Sequence, residues 1–160
     1  MILQLPGFPD GSMMPRKYTA QGEEVSPEIE WHELPEGTES LVLFMYDVSI
    51  PADWLRLSTI DHWVVYNIPP TLDGLPEGLP EEHVLENGVL QGTRWGKRTG
   101  YMGPSPLTGT HLYVFELNAL DKMLDVAPEN ATRKSLTAII EGSVLDKAVY
   151  AGKYKKTRLK

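Results

Sequence analysis

Three titratable side chains stand at the ends of apolar segments of this chain, where they are able to act together. Asp47 closes one apolar run, His62 opens a second, and His111 opens a third. One carboxylate and two imidazoles form a set that binds a metal ion, transfers protons or holds an anion. Tyr113 adds a phenol two residues after His111. Polar groups at the mouth of otherwise apolar strands predict a small concave site.

Strand geometry decides which of these side chains share a face, because successive residues point to opposite sides. Asp47 is in phase with the apolar residues of its own segment, and His111 is in phase with Tyr113. By the same count His62 shares a face with Val64. If the three strands are neighbours, we expect the acid, both imidazoles and the phenol to converge at one rim.

Each of these residues also has a plain structural interpretation. A histidine at a strand end is often a hydrogen-bonded structural residue, and a tyrosine such as Tyr113 is most often part of a core. Asp47 is equally able to cap the turn that leads to Pro51. The turn around Gly100 and Gly103 is able to offer backbone N–H groups to an anion, although a glycine-rich turn alone is a weak signal.

Hydrophobic patterning predicts a protein built mostly of strands. Long strands are expected over Leu41–Tyr46, His62–Ile68 and His111–Ala119, with shorter ones over Val25–Trp31 and Val89–Leu90. The segment 71–108 is rich in glycine and proline and predicts a functional loop or a set of short strands and turns. These elements indicate a mostly β, antiparallel β-sandwich.

The periodicity near the C-terminus changes to that of a helix. Apolar residues recur at helical spacing at Leu136, Ile139, Ile140, Val144, Leu145 and Ala148. Asn130 or Thr132 is a suitable N-cap, and Gly142 then falls inside the helix. We therefore expect one C-terminal helix packed on the sandwich.

Length and composition are those of a single globular domain spanning residues 1–160. Hydrophobic residues make up 41% of the chain, charged residues 23%, and there is no cysteine. A thiolate nucleophile, a disulfide framework and a thiolate metal site are therefore excluded. No apolar run approaches the roughly 20 residues of a membrane span, and the first residues do not resemble a secretory signal. The cytoplasm is the expected compartment.

Charge is distributed unevenly along the chain. Residues 152–160 hold five of the 15 basic residues and no acid, so the first 151 residues carry 10 basic and 22 acidic side chains, a balance of −12. A body with this charge repels nucleic acid. We expect the basic tail to be solvated and mobile, with contact to an anionic surface as the alternative.

Several strings together resemble the phosphatidylethanolamine-binding protein (PEBP) family, in particular its bacterial and archaeal Raf-kinase-inhibitor-like branch. Val25–Trp31 is similar to the family's SPxLxW element, Asp61–Pro70 to HWVVxNIP, and Gly96–Pro106 to GKxGYxGPxPP. Leu41–Pro51 is similar to the strand that ends in an Asp-Pro-Asp-x-Pro box, Gly109–Leu120 to GxHRYxFxLxAL, and Ala138–Tyr154 to the closing segment. The strings occur in the family's order over nearly the whole chain.

The resemblance implies a β-sandwich with a small anion-binding pocket and no catalytic residue, cofactor or metal. Carried over by position, the pocket residues are Asp47, His62, Gly103, Pro104, His111 and Tyr113. The implied ligand is a small anion, a phosphate headgroup or a phosphorylated group, with a kinase or protease as a further implied partner. The alternative that the residues leave open is a metal-dependent or acid–base hydrolase that uses the acid and the two imidazoles.

Two positions depart from the family's pattern. Ser49 stands where the box has its second acid, and Leu112 stands where the family has the arginine after the histidine. The first change removes a negative charge near the rim, and the second removes a positive charge from its flank. We expect both changes to alter the surroundings of the pocket and its ligand preference.

Overall fold

Ten β-strands and one short α-helix are formed by residues 1–49 and 59–158, the part of the chain that this computed structural model describes. The strands are β1 (Ile2–Gln4), β2 (Ile29–His32), β3 (Ser40–Asp47), β4 (Ile60–Ile68), β5 (Gly74–Leu75), β6 (Leu90–Gln91), β7 (Thr93–Arg94), β8 (Arg98–Thr99), β9 (Thr110–Leu120) and β10 (Val144–Lys155), and the helix α1 is Arg133–Ile140. Ile50 and Pro51, the end of the proposed box, lie outside the described residues.

A five-stranded sheet in the order β10-β9-β3-β4-β6 is the centre of the fold, and every neighbouring pair in it is antiparallel. A second sheet in the order β1-β2-β5 faces it, and β7 pairs with β8 in a small third sheet. The predicted antiparallel β-sandwich with a helix is confirmed. The apolar run Leu41–Met45 is fully buried because β3 is the middle strand and both of its faces are covered.

The central sheet separates two hydrophobic cores. One core lies between the two sheets and includes Trp31, Leu43 and Phe115, which are at most 1% exposed. The other lies on the helix side and includes Phe44 of β3 and Leu136 of α1. Residues of β3 therefore alternate between the two cores, as the period of a strand requires.

Helix α1 is capped as predicted but ends earlier than predicted. Thr132 is the N-cap, and its side chain accepts a hydrogen bond from the backbone N–H of Ser135 at 3.1 Å. The helix ends at Ile140, and Gly142 follows in a turn with φ of +82°. The expectation that Gly142 lies inside the helix is wrong, because this left-handed conformation ends a helix and suits glycine.

The apolar residues after the helix belong to a strand. Val144, Leu145 and Ala148, predicted to continue the helical face, lie in β10, which pairs with β9 from Leu120 to Thr110. Pairing along the whole length of a long neighbour outweighs a local helical pattern. No helix among residues 1–49 and 59–158 has the length and hydropathy required to cross a bilayer.

The first part of the predicted mobile tail is also ordered by this pairing. Lys153 and Lys155 lie within β10, and Tyr154 between them is only 4% exposed. Beyond the strand, Nε2 of Gln21 donates to the carbonyl of Thr157 at 2.7 Å, and the N–H of Thr157 donates back to Oε1 of Gln21 at 2.9 Å. The segment up to this point is therefore held against the body rather than free in solvent.

Candidate functional site

Three strand ends meet at one edge of the central sheet. Because β3 is antiparallel to both of its neighbours, its last residue, Asp47, lies opposite Ile60 of β4 and Tyr113 of β9. The condition set by the sequence, that the three strands be neighbours, is met. The structure brings Asp47, His62, His111 and Tyr113 to the wall of one cavity.

Asp47 and His111 form a buried pair. Oδ2 of Asp47 lies 2.6 Å from Nδ1 of His111, and the two residues are only 3% and 8% exposed. Since an ionised carboxylate only accepts hydrogen bonds, Nδ1 of the imidazole carries the proton and donates it. The contact fixes the orientation and tautomer of the ring and leaves Nε2 without a hydrogen-bond partner in the part of the chain that the structure describes.

The second oxygen of Asp47 forms the turn that the sequence also allowed. Oδ1 accepts a hydrogen bond from the backbone N–H of Ser49 at 2.8 Å, two residues further along the chain. The structural and functional interpretations of Asp47 are therefore compatible, because each uses a different oxygen. A substitution at this position affects the turn and the imidazole together.

His62 is held by a backbone carbonyl instead of a carboxylate. Its Nδ1 lies 2.7 Å from the carbonyl oxygen of Met102 and must donate to it, so Nε2 is again the nitrogen that has no partner among residues 1–49 and 59–158. Burial lowers the pKa of His62 from the ordinary value of 6.5, and the Met102 hydrogen bond and the charge of Asp47 offset only part of that effect. His62 is therefore neutral near pH 7, with a lone pair on Nε2.

A β-bulge determines where His62 points. Met45 of β3 pairs with Trp63, but the next residue, Tyr46, pairs with Asp61. His62 is thus an extra residue on β4 with no partner on β3. An unpaired residue of this kind breaks the alternation of side chains along the strand.

The bulge corrects the predicted phase of His62. Val64 packs on the helix side of the sheet, whereas the ring of His62 meets the ring of Tyr113 edge-on, with 5.2 Å between ring centroids. The expectation that His62 and Val64 share a face is therefore wrong. Sequence counting assumed regular alternation, and the bulge removes it.

Tyr113 supplies a hydroxyl that stays protonated. Burial raises the pKa of its phenol well above the ordinary value of 10.0, and the nearby charge of Asp47 raises it further. The ring lies nearly parallel to that of His111, with 28° between the planes and 6.5 Å between the centroids. Tyr113 is thus a neutral hydrogen-bond donor beside two imidazoles.

The turn that contains Gly103 lines the other side of the cavity. Its backbone N–H group already donates a hydrogen bond to a carboxylate of the protein. The backbone N–H of Gly103 donates to Oε1 of Glu24 at 3.0 Å, and both residues line the cavity. A Cβ on Gly103 would lie 2.9 Å from backbone atoms of Thr19 and Ala20, so only glycine lets this loop approach so closely. Pro104 is buried behind it and, unlike Gly103, is not among the residues that line the cavity.

The cavity has a volume of about 530 Å³, within the range of small-molecule sites. Its polar wall consists of the carboxylates, imidazoles and phenol described above. The remaining wall is largely apolar and includes Ile60, Trp95, Met102, Pro106 and Leu107. Trp95 is 49% exposed and Leu107 is 91% exposed, so apolar side chains remain uncovered at the mouth. The arrangement suits a ligand with a polar head and an apolar substituent.

The two departures from the family's pattern are neighbours in space. Oγ of Ser49 accepts a hydrogen bond from the backbone N–H of Leu112 at 2.9 Å. Where the family has an acid and an arginine at these positions, this chain has two uncharged residues that still connect β3 to β9. The loss of one charge of each sign at adjacent positions leaves the net charge of this flank unchanged.

Sequence reasoning missed two groups that shape the site. Glu24 lies in a loop that is distant in sequence from the three strands, and its backbone has an unusual φ of +57°. Nothing in its local sequence indicates that this loop folds against the cavity. Met102 acts through its backbone carbonyl, which any residue supplies. Within residues 1–49 and 59–158, no three His, Cys, Asp or Glu side chains form a group able to hold a metal ion.

The fold and this site define a class of β-sandwich proteins with a carboxylate–imidazole cavity at one end of the central sheet. Residues 4–155 match the sequence profile of the phosphatidylethanolamine-binding protein family. The chain belongs to this family.

Relatives of known sequence and solved structures match this chain over almost its whole length. A UPF0098 protein of Methanothermobacter thermautotrophicus is 37% identical, covering 98% of this chain and 99% of its own. A PEBP homologue from Chlamydia trachomatis superimposes with a TM-score of 0.88 at 29% identity, covering 98% of this chain and 97% of its own. YbcL of E. coli, described as a member of the mammalian PEBP family, shares the fold with a TM-score of 0.86 at 24% identity over 97% and 98% of the two chains.

Proposed function

We propose that this protein is a non-enzymatic binding protein whose cavity takes a phosphate-bearing small ligand. The observation that carries the proposal is the matched orientation of His62 and His111. Each imidazole uses Nδ1 to donate to a fixed oxygen, on Met102 and Asp47 respectively, and so has Nε2 left for a ligand. Two such nitrogens and the Tyr113 hydroxyl form a set of groups suited to the oxygens of one tetrahedral anion.

An imidazole that takes up a proton when the ligand binds becomes a second hydrogen-bond donor for the phosphate. In a neutral ring with Nδ1–H, Nε2 is an acceptor, whereas in the imidazolium form it is a donor. A bound phosphate favours the donor form, because opposite charges at about 4 Å attract by roughly 4 kcal/mol at a partly buried site. We therefore expect phosphate binding to add a proton to His62. Asp47 accepts the hydrogen bond from Nδ1 of His111 and does not meet the phosphate directly.

The apolar mouth indicates the rest of the ligand. The exposed apolar side chains of Trp95 and Leu107 line the cavity, so a phosphate ester with an apolar substituent gains from contacts that inorganic phosphate lacks. Lipid headgroups and phosphorylated side chains of a kinase or protease partner both carry such a group. The cytoplasmic location expected from composition is part of the same proposal.

Hydrolysis is the second candidate, and the Asp47–His111 pair favours it because a carboxylate that orients an imidazole is also the arrangement of a general base. A nucleophile is the missing part. Among the described residues no hydroxyl side chain hydrogen-bonds to either imidazole, although Ser105 and Thr108 line the same cavity. Binding without turnover is therefore the better supported candidate.

Titration with phenyl phosphate and inorganic phosphate, followed by phosphorus NMR from about pH 5.5 to about pH 8.5, tests the proposal. We expect both to bind, phenyl phosphate more tightly, with affinity that falls as the pH rises. His62→Phe keeps a ring but has no nitrogen to protonate, so it should weaken binding and flatten the pH dependence. His32→Ala, an exposed histidine outside the cavity, is the matched control.

Two results would count against binding as the function. Absence of phosphate binding in the wild type, or equal effects of His62→Phe and His32→Ala, would refute the assignment of the cavity. Release of inorganic phosphate from phenyl phosphate at a rate abolished by Asp47→Ala would establish the hydrolase instead.

A further inference from the structure

The basic C-terminal segment lies next to the phosphate cavity, not at a distance from it. In the register of β10 against β9, Tyr154 is opposite His111 and Lys155 is opposite Thr110. Partners across an antiparallel pair lie about 5 Å apart between Cα atoms. The positive charges that follow Tyr154 in the sequence are therefore brought to the same end of the sheet as the imidazoles.

A second cavity, of about 540 Å³, is formed there. Its cationic wall consists of Lys155, Lys156 and Arg158, and no acidic residue among positions 1–49 and 59–158 lines it. Gln21 keeps this wall in place through its hydrogen bonds to Thr157 and a third from the hydroxyl of Tyr154 at 2.7 Å. The cations thus line a concave surface that is built by side chain–backbone contacts.

None of the ion pairs within residues 1–49 and 59–158 includes Lys155, Lys156 or Arg158. The rest of the chain is strongly acidic, so the positive potential is concentrated in this cavity. A concave site of one charge sign focuses the field and attracts ions of the opposite sign.

The two cavities share a wall. Pro106, Leu107 and Thr108 line both of them. Leu107 is 91% exposed, so the ridge between the cavities is apolar and uncovered. An alkyl segment that crossed it would connect a group in one cavity with a group in the other.

We propose that the second cavity is an anion subsite and that the physiological ligand is a small molecule with two phosphate groups joined by an apolar segment. The first phosphate binds beside His62 and His111, as in the proposed function on which this inference rests. The second phosphate binds beside Lys155, Lys156 and Arg158, and the apolar segment covers Leu107.

Binding of propyl phosphate and of alkane-α,ω-bisphosphates of increasing chain length tests this subsite by calorimetry at low and high salt. Exposed ion pairs contribute modestly, so three of them give on the order of a tenfold gain for a bisphosphate of matching length. High salt should reduce the gain by screening. Lys155→Gln/Lys156→Gln/Arg158→Gln should abolish the gain and leave propyl phosphate binding within about twofold of wild type.

A charge-matched variant separates the subsite from general electrostatics. Lys122→Gln/Lys134→Gln/Lys147→Gln changes the net charge by the same amount around α1, and it should keep the bisphosphate gain. Equal loss in the two triple variants, or no gain for any bisphosphate in the wild type, would overturn the subsite. The basic residues of the first variant are exposed, so thermal unfolding should be little changed.

The two kinds of titration also separate a failure of the second subsite from a failure of the proposed function. If propyl phosphate binds and loses affinity in His62→Phe, but bisphosphates bind no better, only the second subsite is refuted. If propyl phosphate does not bind at all, the proposed function fails with it. Loss of binding to phosphatidylserine vesicles in the first triple variant, with the bisphosphate gain unchanged, would assign the basic residues to a membrane surface instead.

Discussion

The carboxylate of Glu24 holds the backbone N–H of Gly103 at 3.0 Å, at the wall of the cavity in which a phosphate is proposed to bind. A backbone donor that faces an anion site is thus already bound to an anion of the protein itself. An incoming phosphate must displace Glu24 to use this donor, or bind without it and next to a like charge.

Removal of this charge should strengthen phosphate binding. In Glu24→Gln the amide still reaches Gly103 but no longer repels the ligand, so we expect the affinity for phenyl phosphate to rise by roughly fivefold, as for other exposed charge pairs. Calorimetric titration with phenyl phosphate measures this change in affinity. Glu23→Gln, an exposed neighbour that does not line the cavity, should change little. Weaker binding in Glu24→Gln would show that the carboxylate assists the ligand, for example through an ammonium group.

His62 should make the stability of the unliganded protein depend on pH. Burial lowers its pKa in the native state, so below the ordinary pKa of about 6.5 the unfolded chain takes up a proton that the native state does not. The free energy of unfolding therefore falls as the pH falls through that range, and it is regained as the pH rises. Urea denaturation at about pH 5.5 and about pH 7.5 measures the difference.

His62→Phe supplies the comparison, since other groups titrate in both proteins. The loss of stability between the two pH values should be smaller in the variant than in the wild type. An equal loss in both proteins would mean that His62 is protonated in the native state as readily as in the unfolded chain, contrary to the effect of its burial.

Asp47→Asn should separate the structural role of Asp47 from its electrostatic role. The amide oxygen is still able to accept from Ser49 or His111, so we expect a cost in stability of about 1 kcal/mol. The hydrogen bond that orients His111 then no longer has a charged acceptor, so phosphate affinity should fall about tenfold, because charge-assisted hydrogen bonds are the stronger ones. Asp73→Asn, an exposed site, controls for net charge. Unchanged affinity in Asp47→Asn would exclude a role for the buried pair in binding.

The neighbouring positions 49 and 112 predict a coupled effect. Ser49→Asp adds a carboxylate beside Asp47 and should destabilise the protein by about 1 kcal/mol. Leu112→Arg in the same chain supplies an opposite charge and should recover about 0.5–1 kcal/mol of that loss. A double-mutant cycle of unfolding free energies gives the coupling directly. A coupling energy near zero would show that charges at positions 49 and 112 do not interact in this protein.

Long elements with a clear pattern were predictable from sequence, and irregularities were not. The apolar run at Leu41–Tyr46 indicated a strand covered on both faces, and Thr132 was one of two residues recognisable as a helix cap. The segment from Val144 could not be assigned, because its helical spacing is a local signal whereas its pairing with β9 is a long-range contact. For the site, Asp47, His111 and Tyr113 followed from strand phase, whereas the approach of Glu24 depends on how a distant loop folds.

The position of His62 has a consequence for comparing this chain with its relatives. The imidazole reaches the cavity because β4 holds one residue more than β3 between two successive pairs. A relative that kept His62 and every other motif residue, but held one more residue on β3 at this point, would be aligned with this chain without difficulty. Its β3–β4 pairing would be regular at this point, so His62 would share a face with Val64 on the helix side of the sheet. The site is therefore encoded by the relative lengths of these strands as well as by the identity of their residues. Gaps at this point of an alignment therefore distinguish members with the cavity from members that retain only the fold.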